Sequence, residues 1–255
     1  MASVSVLITT FKRARLLYWG LVSIAKQKYT YDVEVIILNE EPNEQDTLNI
    51  CRQFEDKMNL RYIHTAKTKE SMERWRVPGY ALNIGVKQSE SDYIFISCAE
   101  MFHVNDCIQI MTDCMEESGK VLTIPNGRDD LNSNYLKRIQ QTDGNPSIDD
   151  FNKCKYLNTR IPFLMGCRRK DYYEIGGYDE SFKGVGFEDN DFVDRMNANG
   201  CKHVQTDALV VHLYHPRIHA DTNEEMRQGM ILNQGLYLAR RGQIKRNIDR
   251  EWGKF

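Results

Sequence analysis

Phe187-Glu188-Asp189-Asn190-Asp191-Phe192 puts three carboxylates within four residues, directly after the glycine-rich GGYDESFKGVG and directly before a segment with helical spacing. Acids are favoured in the first turn of a helix, where the backbone dipole is positive. The run can therefore be an ordinary helix start. The same side chains can also do proton chemistry, because a carboxylate within hydrogen-bond reach of a hydroxyl acts as a general base. Metal-ligand types are spread more widely. Glu100 follows Ser97-Cys98-Ala99, and His212 and His215 lie in VVHLYHPR. A carboxylate with imidazole suits Mn²⁺ better than Mg²⁺. A histidine in an apolar strand is more often structural, and for these two both readings stay open.

Something must position these side chains, and the first half of the chain shows what. SVSVLITT and DVEVIILN are β-branched runs suited to buried strands of a parallel sheet. RARLLYWGLVSIAKQ between them has helical spacing, which makes a right-handed β-α-β unit. The alternation continues through NEQDTLNICRQFEDKM, LRYIH, GYALNIGVKQS, YIFIS, DCIQIMTDCMEES and KVLTIP. This predicts an α/β fold, an open doubly wound, Rossmann-like domain with a mostly parallel sheet. Residues 126–160 are polar, rich in Asn and Asp and weakly periodic, and predict a loop-dominated insertion. A strand in IPFLMGC, a helix in RKDYYEIGGY, a strand in DALVVHLYH and a C-terminal helix over TNEEMRQGMILNQGLYLARR follow.

The whole chain of 255 residues reads as one domain, with 41% hydrophobic and 27% charged residues excluding disordered, collagen-like and membrane classes. A net charge of -2 gives no general pull toward nucleic acid or anionic lipid. The basic clusters Arg168-Arg169-Lys170 and RRGQIKR are short enough to be solvated surface. Seven cysteines without a C-x-x-C pair point to free thiols in a reducing compartment. With no leader-like N-terminus and no apolar run of membrane length, the expectation is a cytoplasmic protein. No Walker A loop and no G-x-G-x-x-G follows the first strand, so the common phosphate and dinucleotide signatures are absent.

Ligands of open α/β sheets bind at the carboxyl ends of the strands. Here those ends are TTFKR, Asn39-Glu40-Glu41 and Ser97-Cys98-Ala99-Glu100. Together with ALNIGVKQS, DYIFIS and the ordered motif IGGYDESFKGVGFEDNDFVDRM, they give the chain a resemblance to the family 2 glycosyltransferases of the GT-A fold, inverting enzymes that use nucleotide sugars. The C-terminal motif is its most specific part.

The resemblance implies a nucleotide-binding half over 1–125 and an acceptor-binding, catalytic half over 126–255. It places Thr9, Phe11 and Arg13 against the nucleotide, while Thr10 alone also reads as a helix cap. Asn39 stands where the family has an Asp that reads the base, with Glu40 and Glu41 either beside it or simply solvated. Asn83 and Gly85 match a helix under the diphosphate, where Leu82 replaces an Arg and Arg76 supplies a cation. Ser97 and Ala99 replace both acids of the family's Asp-x-Asp. Glu100, with His212 or His215, is left to hold Mn²⁺ or Mg²⁺. Phe163-Leu164-Met165-Gly166 lines the donor sugar. Asp189 becomes the base, Glu188 an acceptor contact and Asp191 a helix-start acid facing the dipole. The implied partners are a nucleotide sugar, UDP-linked in first place, and a hydroxyl on a glycan, a protein or a hydroxylated DNA base. Two other readings remain: a non-catalytic binding protein of the same fold, favoured by the missing Asp-x-Asp, and a nucleotidyltransferase, which would need a glycine-rich loop that TTFKRARLL lacks.

Overall fold

The β-branched runs form the strands that their composition predicts. β1 (Ser3–Thr10), β2 (Asp32–Asn39), β3 (Asn59–His64) and β4 (Tyr93–Cys98) are parallel, in the spatial order β3-β2-β1-β4. The computed structural model describes residues 2–41, 44–65, 78–161, 163–184, 186–217 and 223–254. Arg76, expected near the diphosphate, lies outside them.

Beyond β4 the same sheet continues through β8 (Leu164–Arg168), β6 (Val121–Asp129), β9 (Lys202–His212) and β5 (Met101–His103), with β7 (Lys155–Tyr156) alongside β6. β6 and β9 are parallel, but β8 runs against both β4 and β6, and β5 against β9. This second half is more mixed than the strand–helix alternation of the first half predicts. The chain winds from β1 outward to β3 and then returns to lay β4 on the other side of β1. That reversal opens a crevice at the carboxyl ends of β1 and β4, where Thr9 pairs with Cys98.

Helices cover both faces. α1 (Ala14–Ala25), α2 (Gln45–Arg52) and α4 (Cys107–Ser118) lie on one face, and α3 (Pro78–Gln88), α7 (Arg169–Glu174) and α8 (Glu188–Ala198) on the other. α1 shows why: Leu17, Leu21 and Ile24 share one stripe and are fully buried against Val6, Ile8 and Phe95. Each such side chain contributes roughly 1.5–3 kcal/mol of burial.

Residues 126–160 are not the expected loop. β6 runs on to Asp129, and α5 (Asn134–Gln141) and α6 (Ile148–Asn152) follow. These helices are too short to show a period in sequence. Leu136, Ile139 and Phe151 nevertheless form a small core with Phe102 and Val211, and Ser147 with Asp150 closes a capping box at the start of α6. The C-terminal helix α9 (Glu224–Ala239) packs on the glycine run. Among the described residues all seven cysteines are free, and no helix is long and apolar enough to cross a membrane.

Candidate active site

The acid helix starts on a backbone that few residues adopt. Gly184, Gly186 and Phe187 have φ of 76°, 88° and 72°, and Phe187 caps α8 without any side-chain bond. α9 holds this loop from outside: Asn233 accepts from the Lys183 N–H and donates to the Lys183 carbonyl. Glu188, Asp189 and Asp191 then occupy the first turn of α8.

Their environments differ. Asp191 is almost fully buried, accepting from Arg195 Nε and from Arg246 Nη2, each at 2.7 Å. The expected dipole-facing helix-start acid is thus the centre of an internal ion cluster, which also contains Asp179, bonded to Arg240 and to Arg246. Neither arginine is visible as a partner in sequence, because both lie beyond α9. Among the described residues no cation pairs with Glu188 or Asp189. One oxygen of Glu188 is buried without a hydrogen bond. Burial, then the charge of Asp189, pushes the Glu188 carboxyl up to about 8. Asp189 is open to solvent on one side while protein packs densely around its carboxyl. Its pKa is raised by that crowding, against the opposing hydrogen bond from the Tyr178 hydroxyl at 2.9 Å.

The second cluster lies at the strand ends. Arg13 Nε bonds Glu100 Oε1 at 2.9 Å, and His215 Nε2 stands 4.0 Å from the same oxygen. His215 Nδ1 is 2.9 Å from the Pro216 carbonyl and 3.3 Å from Arg13 Nη2, and its Nε2 edge is turned toward Glu100. Burial lowers the pKa of His215 and favours the neutral ring. His212 is turned elsewhere. Its Nδ1 is 3.1 Å from Asp129 Oδ1, which also accepts from Arg217, and its ring stacks on Phe163. Burial would lift the Asp129 carboxyl, but the hydrogen bonds from His212 and Arg217 outweigh it and hold it low. Thr10 Oγ1 and Ser97 Oγ are buried with no hydrogen-bond partner, so Thr10 does not cap α1, whose start at Arg13 has no side-chain cap. Both clusters act on Cys98: burial first, then the charges of Glu100 and Asp189, raise its thiol pKa.

Several residues expected at a ligand lie behind this surface. Asn39 is fully buried; its Nδ2 donates to Tyr62 Oη and its Oδ1 accepts from the Glu41 N–H, so its amide organises the β2 end. Glu41 in turn accepts from the Lys12 N–H. Asn83 is spent on the GGYD turn, bonding the Tyr178 N–H and carbonyl, Tyr172 and Glu180. Gly85 lets α3 approach the sheet, since a Cβ there would sit 2.8 Å from Leu38. Gly166 is likewise a packing position, 2.7 Å from Thr123 Oγ1 by the same measure. Thr9 sits at the crevice with its hydroxyl 3.4 Å from the Ser97 carbonyl, and Phe11 beside it carries Lys12 over its ring. A cavity of about 400 Å³ between Ala14, Trp19, Asn49 and Ile50 includes none of the acids. One of about 260 Å³ opens against Asp129, Tyr135 and Lys155.

The sequence model for glycosyl transferase family 2 matches residues 5–176, and one described as the N-terminal domain of galactosyltransferase matches 150–219. The chain belongs to glycosyl transferase family 2. Its fold is the GT-A type of that enzyme family. It is 24% identical to the chondroitin synthase of Escherichia coli over 77% of its own length. It spans about a third of that relative, 32%. The mannosyltransferase of Pyrobaculum calidifontis, solved with GDP-Man and Mn²⁺, superposes with a TM-score of 0.65 at 14% identity, covering 94% of this chain and 64% of that one. S. aureus TarS 1-349 with UDP gives 0.56 at 17%, covering 91% and 65%.

Among the described residues no three His, Cys, Asp or Glu side chains form a metal cage. Glu100 and His215 nevertheless offer a carboxylate and an imidazole side by side, a donor pair that fits a divalent cation. His212 meets Asp129 through Nδ1 and stacks on Phe163, contacts that orient the ring without occupying Nε2.

Proposed function

We propose that this chain transfers a sugar from a nucleoside-diphosphate sugar to a glycan hydroxyl with inversion at the anomeric carbon. One observation carries the reading: Glu188 and Asp189 are carboxylates raised by burial with no cation partner among the described residues, and the charge of Asp189 reaches the same Cys98 thiol as that of Glu100, which pairs with Arg13 beside His215. The first pair can take a proton, and the second group can hold a departing diphosphate. Asp189 accepts the proton of the acceptor hydroxyl as its oxygen bonds to the anomeric carbon. The diphosphate leaves with the electron pair of the broken bond, toward Arg13. Glu188, kept protonated near neutral pH, donates a hydrogen bond to the acceptor. A divalent cation held by Glu100 and His215 would supply charge neutralisation of the leaving group. UDP is the favoured base carrier, in keeping with the UDP of the TarS structure. The chondroitin synthase relative favours a glycan acceptor over a hydroxylated nucleic-acid base.

The test is a panel of UDP-sugars and GDP-mannose, with and without Mn²⁺, read first by thermal shift and then by transfer to glycan acceptors, with the anomeric configuration of the product assigned by NMR. A bound donor raises the melting temperature by linkage. No shift with any donor removes the assignment. Replacement of the Asp-x-Asp by Ser97 and Ala99 favours a second reading, a donor-binding protein without turnover; a shift without product would select it.

A further inference from the structure

Tyr178 belongs to the GGYD turn and is 1% exposed, yet its hydroxyl emerges at the acid helix. Three contacts fix it. Its ring stacks on Phe192, one turn along the same helix as Asp189, with centroids 4.3 Å apart and planes 10° from parallel. Its N–H and carbonyl are held by Asn83, and its carbonyl also by Asn247. Gly79 packs against it so closely that a Cβ there would lie 2.6 Å from the ring. The hydroxyl is therefore placed by rigid elements and cannot follow Asp189 if that side chain rotates. It donates to Oδ1 of Asp189.

We propose that Tyr178 is the positioning residue of the base: it occupies Oδ1 of Asp189 and so fixes Oδ2 as the atom that receives the acceptor's proton. The acceptor O–H bond breaks, its proton goes to Oδ2, its oxygen bonds to the anomeric carbon, and the diphosphate takes the electron pair of the bond that breaks. Besides Tyr178, the titratable groups that face Asp189 among the described residues are Glu188 on its own helix and Cys98 at the end of β4. Neither is placed to hold one oxygen while freeing the other. A phenol hydrogen bond stabilises the carboxylate over the acid. Its loss therefore raises the pKa of the base, in line with the lowering that Tyr178 exerts on Asp189.

This inference rests on Asp189 being the base, and the experiment separates the two. Tyr178→Phe keeps the ring stack and removes only the donor. Expected are a fall in kcat of about 10- to 100-fold from lost orientation, an unchanged KM for the donor, and an acidic limb of the kcat/KM profile moved up by about one pH unit or more. Asp189→Asn, measured alongside, reports on the base itself. If Asp189→Asn keeps wild-type turnover, the base reading falls. If it is inactive while Tyr178→Phe shows the wild-type kcat and pH limb, the positioning role falls and the base stands. Melting temperatures of both variants are measured in parallel; a Tyr178→Phe loss of activity that follows its loss of stability, with the limb unmoved, also overturns the proposal.

Discussion

Two acid pairs lie within fourteen residues of one another, and the fold treats them in opposite ways. Asp179 and Asp191 are buried and matched by Arg195, Arg240 and Arg246. Glu188 and Asp189, between them in sequence, have no cation partner among the described residues and are pushed toward protonation. Residue type and local sequence do not distinguish the pairs, since all four are acids beside glycines or a helix start. What differs is what the chain brings to them from a distance. Compensation marks the acids that hold the turn together, and its absence marks those left free for a proton.

The comparison breaks most visibly at Asp189. Asp189→Asn is expected to lower kcat by about 10²- to 10⁴-fold, with urea denaturation showing stability unchanged or raised, because a crowded charge is relieved. Next comes Asp191→Asn, expected to cost on the order of 3–5 kcal/mol of stability in the same denaturation series, because Arg195 and Arg246 then share a buried site without their carboxylate. Equal effects of the two substitutions on stability would erase the distinction.

Glu188→Gln sharpens the comparison through pH. The folded pKa of Glu188 lies above its unfolded value, so its favourable contribution is complete below the ordinary Glu range and is lost as pH rises through about 8. Glutamine cannot lose that proton. The melting temperature of the variant is expected to fall less than that of the wild type between pH 5 and 9, and any step in kcat near pH 8 should vanish. Smallest is the effect at the opposite cluster: Glu100→Gln is expected to weaken Mn²⁺ binding, measured by calorimetry with a nucleoside diphosphate present, by about tenfold or more.

The fold was legible in sequence where periodicity runs long. β1 to β4 and the helices between them follow directly from β-branched runs alternating with amphipathic stretches. α5 and α6 were not, because Leu136, Ile139 and Phe151 reach their shared core from segments too short to show a period. In the candidate site, the acids, Glu100 and His215 stand out in sequence as residue types able to bind or move charge. Their partners do not: Tyr178 reads as one aromatic among thirteen tyrosines, Asp129 and Arg217 as polar loop residues, and Arg246 as part of a basic tail. Asn39 and Asn83 show a second limit of the sequence. An amide at a strand end or in a motif helix carries the same letter whether it meets a ligand or, as here, satisfies buried backbone.

The clamp on the GGYD turn also sets a schedule. Arg246 closes on Asp191 across 55 positions, its carbonyl lies where a Cβ on Gly176 would be, 2.2 Å away, and Asn247 bonds the carbonyls of Gly176 and Tyr178. At about 5–20 residues per second, a ribosome needs on the order of 3 to 11 seconds to add that intervening stretch. For that interval the crevice between β1 and β4 can already be folded while the acid helix waits with Arg195 as the nearest match for Asp191. The turn that carries the acid helix is thus locked by residues made well after the strands that flank the crevice, so this corner of the fold closes late in synthesis.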